Sequence, residues 1–200
     1  MSRIKYQIFV FFVLFSFLSF AQANDGDIIV ESNRIEHFID NAERDEAVGN
    51  YFDAIKDLEQ ALAVAEEIKD ESKQGIIQSR LANLHFNVND PEEAEILILR
   101  AIRIQINLEE RVNLAYSRFV YGIIHLGSKD YTSALENFVS ASTIFEEESL
   151  NELVAEVALY QGKTYLELNQ LEEANTYLEK ALILSKKHKY KLNQRSITCF

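Results

Sequence analysis

The stretch 162–181 reads GKTYLELNQLEEANTYLEKA. It starts at Gly162 inside one apolar segment, passes a polar break at 169–170, and continues with Ala174, Leu178 and Ala181. Residues spaced by three and four positions share one face of an α-helix. The stretch therefore predicts the end of one helix, a short turn, and a second, antiparallel helix that packs on the first.

The same pattern occurs four times along the chain, at a spacing of 40 residues. Four copies in phase predict a repeat protein in which each unit buries its apolar face against the next. A small residue in the first helix of each unit lets the two helices approach closely. The repeated positions are this small residue (Ala42, Ala82, Gly122, Gly162), two alanines in the second helix (Ala54 and Ala61, Ala94 and Ala101, Ala134 and Ala141, Ala174 and Ala181), and a large apolar residue between the alanines (Leu58, Ile98, Phe138, Leu178).

Composition agrees with an all-helical chain. Only six Gly and one Pro occur in 200 residues, which leaves little turn chemistry for an all-β fold. The formal net charge of −12 disfavours nucleic acid and anionic membrane surfaces as partners. A single cysteine, Cys199, excludes an internal disulfide bond.

Each copy has a small residue, then an aromatic-type position, then a turn, and then the pattern Ala-x3-large-x2-Ala. This order resembles the tetratricopeptide repeat. The resemblance covers residues 35–187 and implies an all-α fold, a right-handed α-solenoid of four helix-turn-helix repeats. The repeats are expected at 35–74, 75–114, 115–154 and 155–187. Since the period is 40 residues and the common one is about 34, we expect longer second helices and longer linkers, for example at 66–73.

The resemblance also implies where a ligand binds. In tetratricopeptide repeats the first helix of each pair lines a concave groove, and its exposed side chains contact a protein or peptide partner. Phe119 and Ile123 have an alternative role to ligand binding. Both could instead be buried by packing on the neighbouring repeats. The candidate ligand-binding residues are Arg80, Asn83, Tyr116, Phe119, Tyr160 and Lys163.

The sequence predicts no enzyme. It contains no phosphate-binding glycine loop, no nucleophile elbow and no HExxH motif, and paired carboxylates such as Glu92-Glu93 fit a solvated helix surface. His85 and His125 are 40 residues apart at one repeat position, which favours packed structural histidines over metal ligands. We therefore expect no catalytic residue, no metal and no cofactor.

The N-terminus has the pattern of an export signal. Arg3 and Lys5 precede the apolar run IFVFFVLFSFLSF at 8–20, and Ala21-Gln22-Ala23 has the small-x-small form of a cleavage site. The run is shorter than the ~20 residues that span a bilayer as a helix, although an uncleaved anchor is the alternative. We predict a signal peptide at 1–23, a linker at 24–34, periplasmic export, and no membrane contact beyond the signal peptide.

Two functions fit these features. The first is an exported scaffold or adaptor that binds a polypeptide in the concave groove. The alternative is the N-terminal sensory region of a membrane-bound signalling regulator, either a sensor kinase or a transcriptional regulator.

The repeat phase also makes a prediction about the end of the chain. It places the start of a fifth first-helix at Arg195, so that 188–200 is either a tail or the start of a further repeat. An array normally ends in a polar cap, whereas the last helix here still carries apolar residues. We expect either a longer protein or a homodimer formed through the C-terminal repeat.

Cleavage after Ala23 predicts a mature protein that begins at Asn24. Amino-terminal sequencing of material from the cell envelope checks this. An intact Met1 in the membrane fraction would show that the segment is an uncleaved anchor.

Overall fold

The computed structural model describes residues 29–197, with side chains described as far as 187. The predicted signal peptide at 1–23 lies outside this range. Within it the chain is entirely helices and short turns, with no strand. The chain divides into two compact units, Met1–Asp70 and Glu71–Phe200.

Eight helices make up the described range. The first, α1, covers 29–47. The others are α2 (Tyr51–Glu67), α3 (Glu71–Asn87), α4 (Pro91–Asn107), α5 (Arg111–Gly127), α6 (Tyr131–Glu147), α7 (Asn151–Glu167) and α8 (Leu171–Ile197). None of them is both long enough and apolar enough to cross a membrane.

The first unit contains the helix pair α1–α2. The two helices are joined at Gly49, whose φ of 81° is a left-handed conformation that glycine adopts without strain. The buried residues lie on one stripe of each helix, with Ile35, Ile39 and Ala42 in α1, and Ala54, Ile55, Leu58, Ala61, Val64 and Ala65 in α2.

The second unit contains three helix pairs, α3–α4, α5–α6 and α7–α8. The helices of each pair pack on each other, and each pair is joined to the next through α4 with α5 and α6 with α7. The first helices of the pairs also contact one another, α3 with α5 and α5 with α7. We call α3, α5 and α7 the A helices and α4, α6 and α8 the B helices. The predicted fold class, an α-solenoid of four helix-turn-helix repeats, is confirmed.

The turns recur with a spacing of 20 residues. In each, one residue has a positive φ, and the next residue donates its N–H to a carbonyl five positions earlier, as Asp70 does to Ala65 at 2.9 Å. This is the hydrogen-bond pattern of a Schellman helix end. The positive-φ residues are Gly49, Lys69, Asn89, Glu109, Lys129, Ser149 and Asn169.

The expectation of longer linkers was wrong. Residues 66 and 67 belong to α2, only three residues follow, and α3 begins at Glu71. The extra length of the repeat lies in the helices, because each of α2 to α7 has 17 residues.

The expected boundaries also shift. The A helices start at Glu71, Arg111 and Asn151, four residues before the expected repeat starts at 75, 115 and 155. Residues 29–34, expected as linker, belong to α1.

The C-terminal prediction is corrected as well. Helix α8 continues through Arg195 to Ile197, where a fifth first-helix was expected to begin. Lysines at 186, 187 and 189 are strong helix formers, and they carry the helix past the point where the others turn.

Close approach within a helix pair depends on the predicted small residues. A Cβ added to Gly122 would lie 2.5 Å from the Phe138 ring, and one added to Gly162 would lie 2.7 Å from Leu178. Both distances are below van der Waals contact. The repeated alanines of the B helices and of α2 are likewise buried, at 0–7% exposure. The prediction that these alanines pack at helix interfaces is confirmed.

Enlarging one of these alanines should destabilise the array. Ala141 is fully buried in α6, whereas Val139 on the same helix is 52% exposed. We expect Ala141→Leu to lower the free energy of unfolding by ~1–3 kcal/mol, because overpacking displaces the neighbouring helix. Val139→Leu is the matched control and should change it little. Chemical denaturation measures both, and equal stability of the two variants would contradict the packing described.

The positive-φ turn residues offer a stabilising change. Glu109 has φ 57°, a backbone conformation that is strained for a residue with a Cβ, and its exposed side chain gains no burial that offsets the strain. Glu109→Gly should raise the free energy of unfolding by about 0.5–1 kcal/mol, since relief of strain exceeds the entropy that glycine costs. The control is Glu110→Gly at φ −81°, which should not stabilise. A loss of stability in Glu109→Gly would contradict the expected strain.

Candidate partner-binding face

Five of the six candidate residues lie on the solvent side of the A helices. Arg80, Asn83, Tyr116 and Tyr160 are partly exposed, and Lys163 is exposed. Arg80 occupies in α3 the position that Tyr160 occupies in α7, and Asn83 likewise corresponds to Lys163. We call these five residues the A face. Their role in binding stays a prediction.

Phe119 does not belong to this face. It is only 2% exposed, and Ile123 one turn later is 8% exposed. Its predicted place as a groove contact was wrong, and the alternative, packing on neighbouring repeats, is confirmed. The reason is contact within its own pair and with the next one: the Phe119 ring lies 6.0 Å from the Phe138 ring on α6 and 5.3 Å from the Tyr160 ring on α7.

The buried phenylalanines hold the exposed tyrosines in place. Tyr116 on α5 packs edge-on against Phe119 at 6.5 Å between ring centroids, and Tyr160 on α7 contacts both Phe119 and Phe138. Edge-to-face rings at these distances attract one another. Three helices therefore fix two tyrosines whose outer edges remain open to solvent.

Charged groups lie directly beside the tyrosines. The Lys163 ammonium is 4.5 Å from the centroid of the Tyr160 ring, within the range of a cation–π contact. Burial raises the pKa of the Tyr160 hydroxyl, and the Glu156 carboxylate adds to the rise. Burial also raises the pKa of Glu156. At neutral pH the Tyr160 hydroxyl therefore keeps its proton and can donate a hydrogen bond.

A groove between α7 and α8 was missed in the sequence. It is open to solvent, with a volume of about 620 Å³. We call it the terminal groove. The repeat pattern could have predicted it. The lining residues are equivalent to the residues of α5 and α6 that pack against α7. It is lined by Glu152, Ala155, Glu156, Leu159, Leu178, Ala181, Leu182 and Ser185.

A buried polar cluster between the second and third pairs was also missed. The Ser117 hydroxyl donates to Gln105 Oε1 at 2.6 Å, and Gln105 Nε2 donates to the Ser79 hydroxyl at 3.3 Å. Ser79 in turn donates to the Gly75 carbonyl at 2.9 Å. All three side chains are at most 1% exposed. The cluster joins α3, α4 and α5, and its lack of solvent access makes its role structural.

The two histidines at equivalent positions act at the turns. His85 Nδ1 is 3.1 Å from Asp90, and His125 Nδ1 is 3.6 Å from Asp130. Each aspartate also caps the helix that follows, and hydrogen bonds from Ser133 hold the pKa of Asp130 below its usual value. This agrees with structural histidines. In the described range no group of three or more His, Cys, Asp or Glu side chains could hold a metal ion.

Comparison with known proteins identifies which families and solved structures this fold resembles. The family profile described as Tetratricopeptide repeat matches residues 158–188. A search of curated proteins finds no significant match. The solved structures that resemble the chain include aspartyl phosphate phosphatase F from Bacillus subtilis, BtubC (BKLC) from P. vanneervenii, and TPR-like repeats of a kinesin light chain from Podosopora anserina.

These likenesses concern the fold, since sequence identities are low. Phosphatase F is 16% identical with a TM-score of 0.67, BtubC 17% with 0.63, and the kinesin light chain repeats 19% with 0.62. The alignments cover 78%, 78% and 77% of this chain. They span 41% of phosphatase F, 64% of BtubC and 76% of the kinesin light chain repeats.

The helix pairs and the exposed A face define a repeat scaffold of the α-solenoid class. Residues 158–188 match the tetratricopeptide-repeat profile, and the helix pairs share the fold of solved TPR-like repeats.

Proposed function

We propose that the chain is an exported, non-catalytic scaffold that binds a polypeptide through its A face. The observation that carries this proposal is the tyrosine pair, Tyr116 and Tyr160, which buried phenylalanines fix on neighbouring A helices. Tyrosines that are rigid before binding lose little conformational entropy when they are covered. Such residues, together with arginine, provide much of the energy in protein interfaces.

The side chains beside the tyrosines suggest the chemistry of the ligand. Lys163 and Arg80 supply positive charge, Asn83 supplies an amide, and the tyrosine edges supply flat apolar area. An extended or helical segment that carries apolar side chains and a carboxylate would satisfy all of them. The partly exposed side chains of one helix face after another favour an extended polypeptide over a small ligand, which needs an enclosing pocket.

The place of action in this proposal is the periplasm. Its support is the basic, apolar and small-x-small order of residues 1–23. A scaffold delivered there would meet partners in the envelope, where binding has to be tested.

Site-specific photocrosslinking in cells tests the A face directly. Benzoylphenylalanine at position 116 or 160 replaces tyrosine by a ring of similar shape, and should yield an adduct with a different polypeptide that mass spectrometry identifies. The matched control is position 52, where Phe52 is 78% exposed on α2. No adduct with that polypeptide is expected there.

A charge variant makes the test sharper. Lys163→Glu should reduce the adduct formed at position 160 several-fold, because it removes the cation beside the tyrosine. Arg100→Glu, an exposed residue of α4, should leave the yield unchanged. Equal adducts at positions 52 and 160, or equal loss from both charge variants, would show that binding does not use the A face.

A further inference from the structure

The terminal groove has room for one more helix. Inside the second unit, α7 covers the equivalent surface of the α5–α6 pair, and its Val154 and Val157 join the buried cluster that contains Phe119 and Phe138. The terminal groove is this surface on the α7–α8 pair, one repeat further along the chain. Among the described residues no helix covers it. A helix is therefore the element that fits this groove.

The terminal groove is apolar with an acidic side. Leu178 and Leu182 belong to its floor, whereas Glu152 and Glu156 stand on the α7 side. The positions of α5 equivalent to these two glutamates hold uncharged residues. Burial raises the pKa of Glu156, and within the described residues no cation offsets this effect. A helix that fills the groove must therefore supply both apolar side chains and a positive charge.

The end of α8 has this composition. Helix α8 has 27 residues where α7 has 17, so its last part projects past the beginning of α7. We call residues 188–197 the α8 extension. No aspartate or glutamate follows Glu179, although the chain as a whole has a net charge of −12. The basic residues after that position are Lys180, Lys186, Lys187, Lys189, Lys191 and Arg195.

Helical spacing places two positions of the α8 extension in line with the groove. Leu178, Leu182 and Ser185 line the groove on the α8 side. Steps of four and three residues continue the same stripe at positions 189 and 192, which are lysine and leucine. The sequence of the extension thus offers, on the stripe that continues the groove, the charge and the apolar residue that the groove requires.

We propose that two copies of this protein associate about a two-fold axis, with the α8 extension of each copy lying in the terminal groove of the other. The docked extension runs antiparallel to α8 and parallel to α7 of the other copy. This is the direction that α7 has against α6 and α5 inside the unit. The contact lies entirely within the second unit and is separate from partner binding at the A face.

The α7–α8 pair sets the register of this contact. A Cβ added to Gly162 would lie 2.7 Å from Leu178, so these two residues are level with each other. Because α7 and α8 are antiparallel, Glu156 is level with the residues about six positions after Leu178. Lys189 of one copy lies level with Glu156 of the other when the two-fold axis crosses α8 near 186–187. The next residue of the stripe is then level with the apolar floor.

Sedimentation velocity on the complete chain, purified in the form that the host delivers, measures the association. A two-fold contact closes on itself, so the average mass should rise with concentration to that of a dimer and stop there. Glu156→Arg and Lys189→Glu should each weaken dimerisation about tenfold or more, because each sets like charges together at both copies of the contact. Lys187→Glu on the opposite side of α8 and Glu136→Arg on α6 are the matched controls and should leave dimerisation unchanged.

The mixture of the two charge reversals is decisive. In a heterodimer of Glu156→Arg with Lys189→Glu, both contacts regain opposite charges, so the mixture should dimerise about as well as the parent chain. The double variant should dimerise with itself for the same reason. The neutral changes Glu156→Gln and Lys189→Gln should show smaller losses, which keeps the test valid if a charge reversal unfolds the chain. Circular dichroism shows whether each variant stays folded.

Distances between spin labels test the antiparallel arrangement. Leu171 and Ile183 on α8 are 64% and 65% exposed, and each is replaced by a labelled cysteine in a Cys199→Ser background. Since a helix rises about 1.5 Å per residue, the two copies of position 171 should be about 45 Å apart along the helix direction, and those of position 183 about 10 Å. Double electron–electron resonance should give a much shorter distance at 183 than at 171.

Four results would overturn the proposal. A parent chain that stays monomeric at all concentrations shows that the α8 extension does not enter a second copy. Equal losses in Lys187→Glu and Lys189→Glu show that the effect follows net charge alone. A mixture of the two reversals that fails to dimerise shows that positions 156 and 189 do not meet. A distance at position 171 as short as that at 183 shows that the copies are not antiparallel about this axis.

Discussion

The packing depends on how closely the two helices of a pair approach at one small residue. Gly122 leaves a space that the Phe138 ring fills so completely that an added Cβ would lie 2.5 Å from it. Phe138 is thereby fully buried, and it contacts Phe119 and Tyr160 of the neighbouring A helices. A missing side chain in α5 thus sets the position of a tyrosine on α7. Interiors packed at this density transmit such constraints because side chains have no room to adjust.

The sequence predicted the helix pairs and their alanines, because a 40-residue period repeats the same face four times. It did not predict the turns at Lys69, Glu109 and Ser149, which led to boundaries four residues too late. These residues adopt a positive φ. Glycine or asparagine at such a position would have predicted a turn, but lysine, glutamate and serine do not. The Schellman hydrogen bonds around each turn hold these residues in that conformation. Because those bonds join backbone atoms, the residue types do not reveal them.

The binding face was predictable only in part, and Phe119 shows why. Helical spacing identifies which side of α5 a residue occupies, but burial on that side depends on how far the next A helix covers it. Tyr160 covers Phe119 at 5.3 Å between ring centroids. Spacing also places Tyr160 and Lys163 on one side of α7. The raised pKa of Tyr160 could not be foreseen, since it arises from burial and from the Glu156 carboxylate.

An array of similar helix pairs must also specify which pair follows which. The surface between the second and third pairs contains the Ser79, Gln105 and Ser117 hydrogen bonds, whereas the one between the third and fourth contains phenylalanine and tyrosine rings. Placing Ser117 against the rings would leave a buried hydroxyl unpaired, at a cost of about 1–3 kcal/mol. Each interface between successive helix pairs therefore favours its native neighbour and disfavours packing against any other pair.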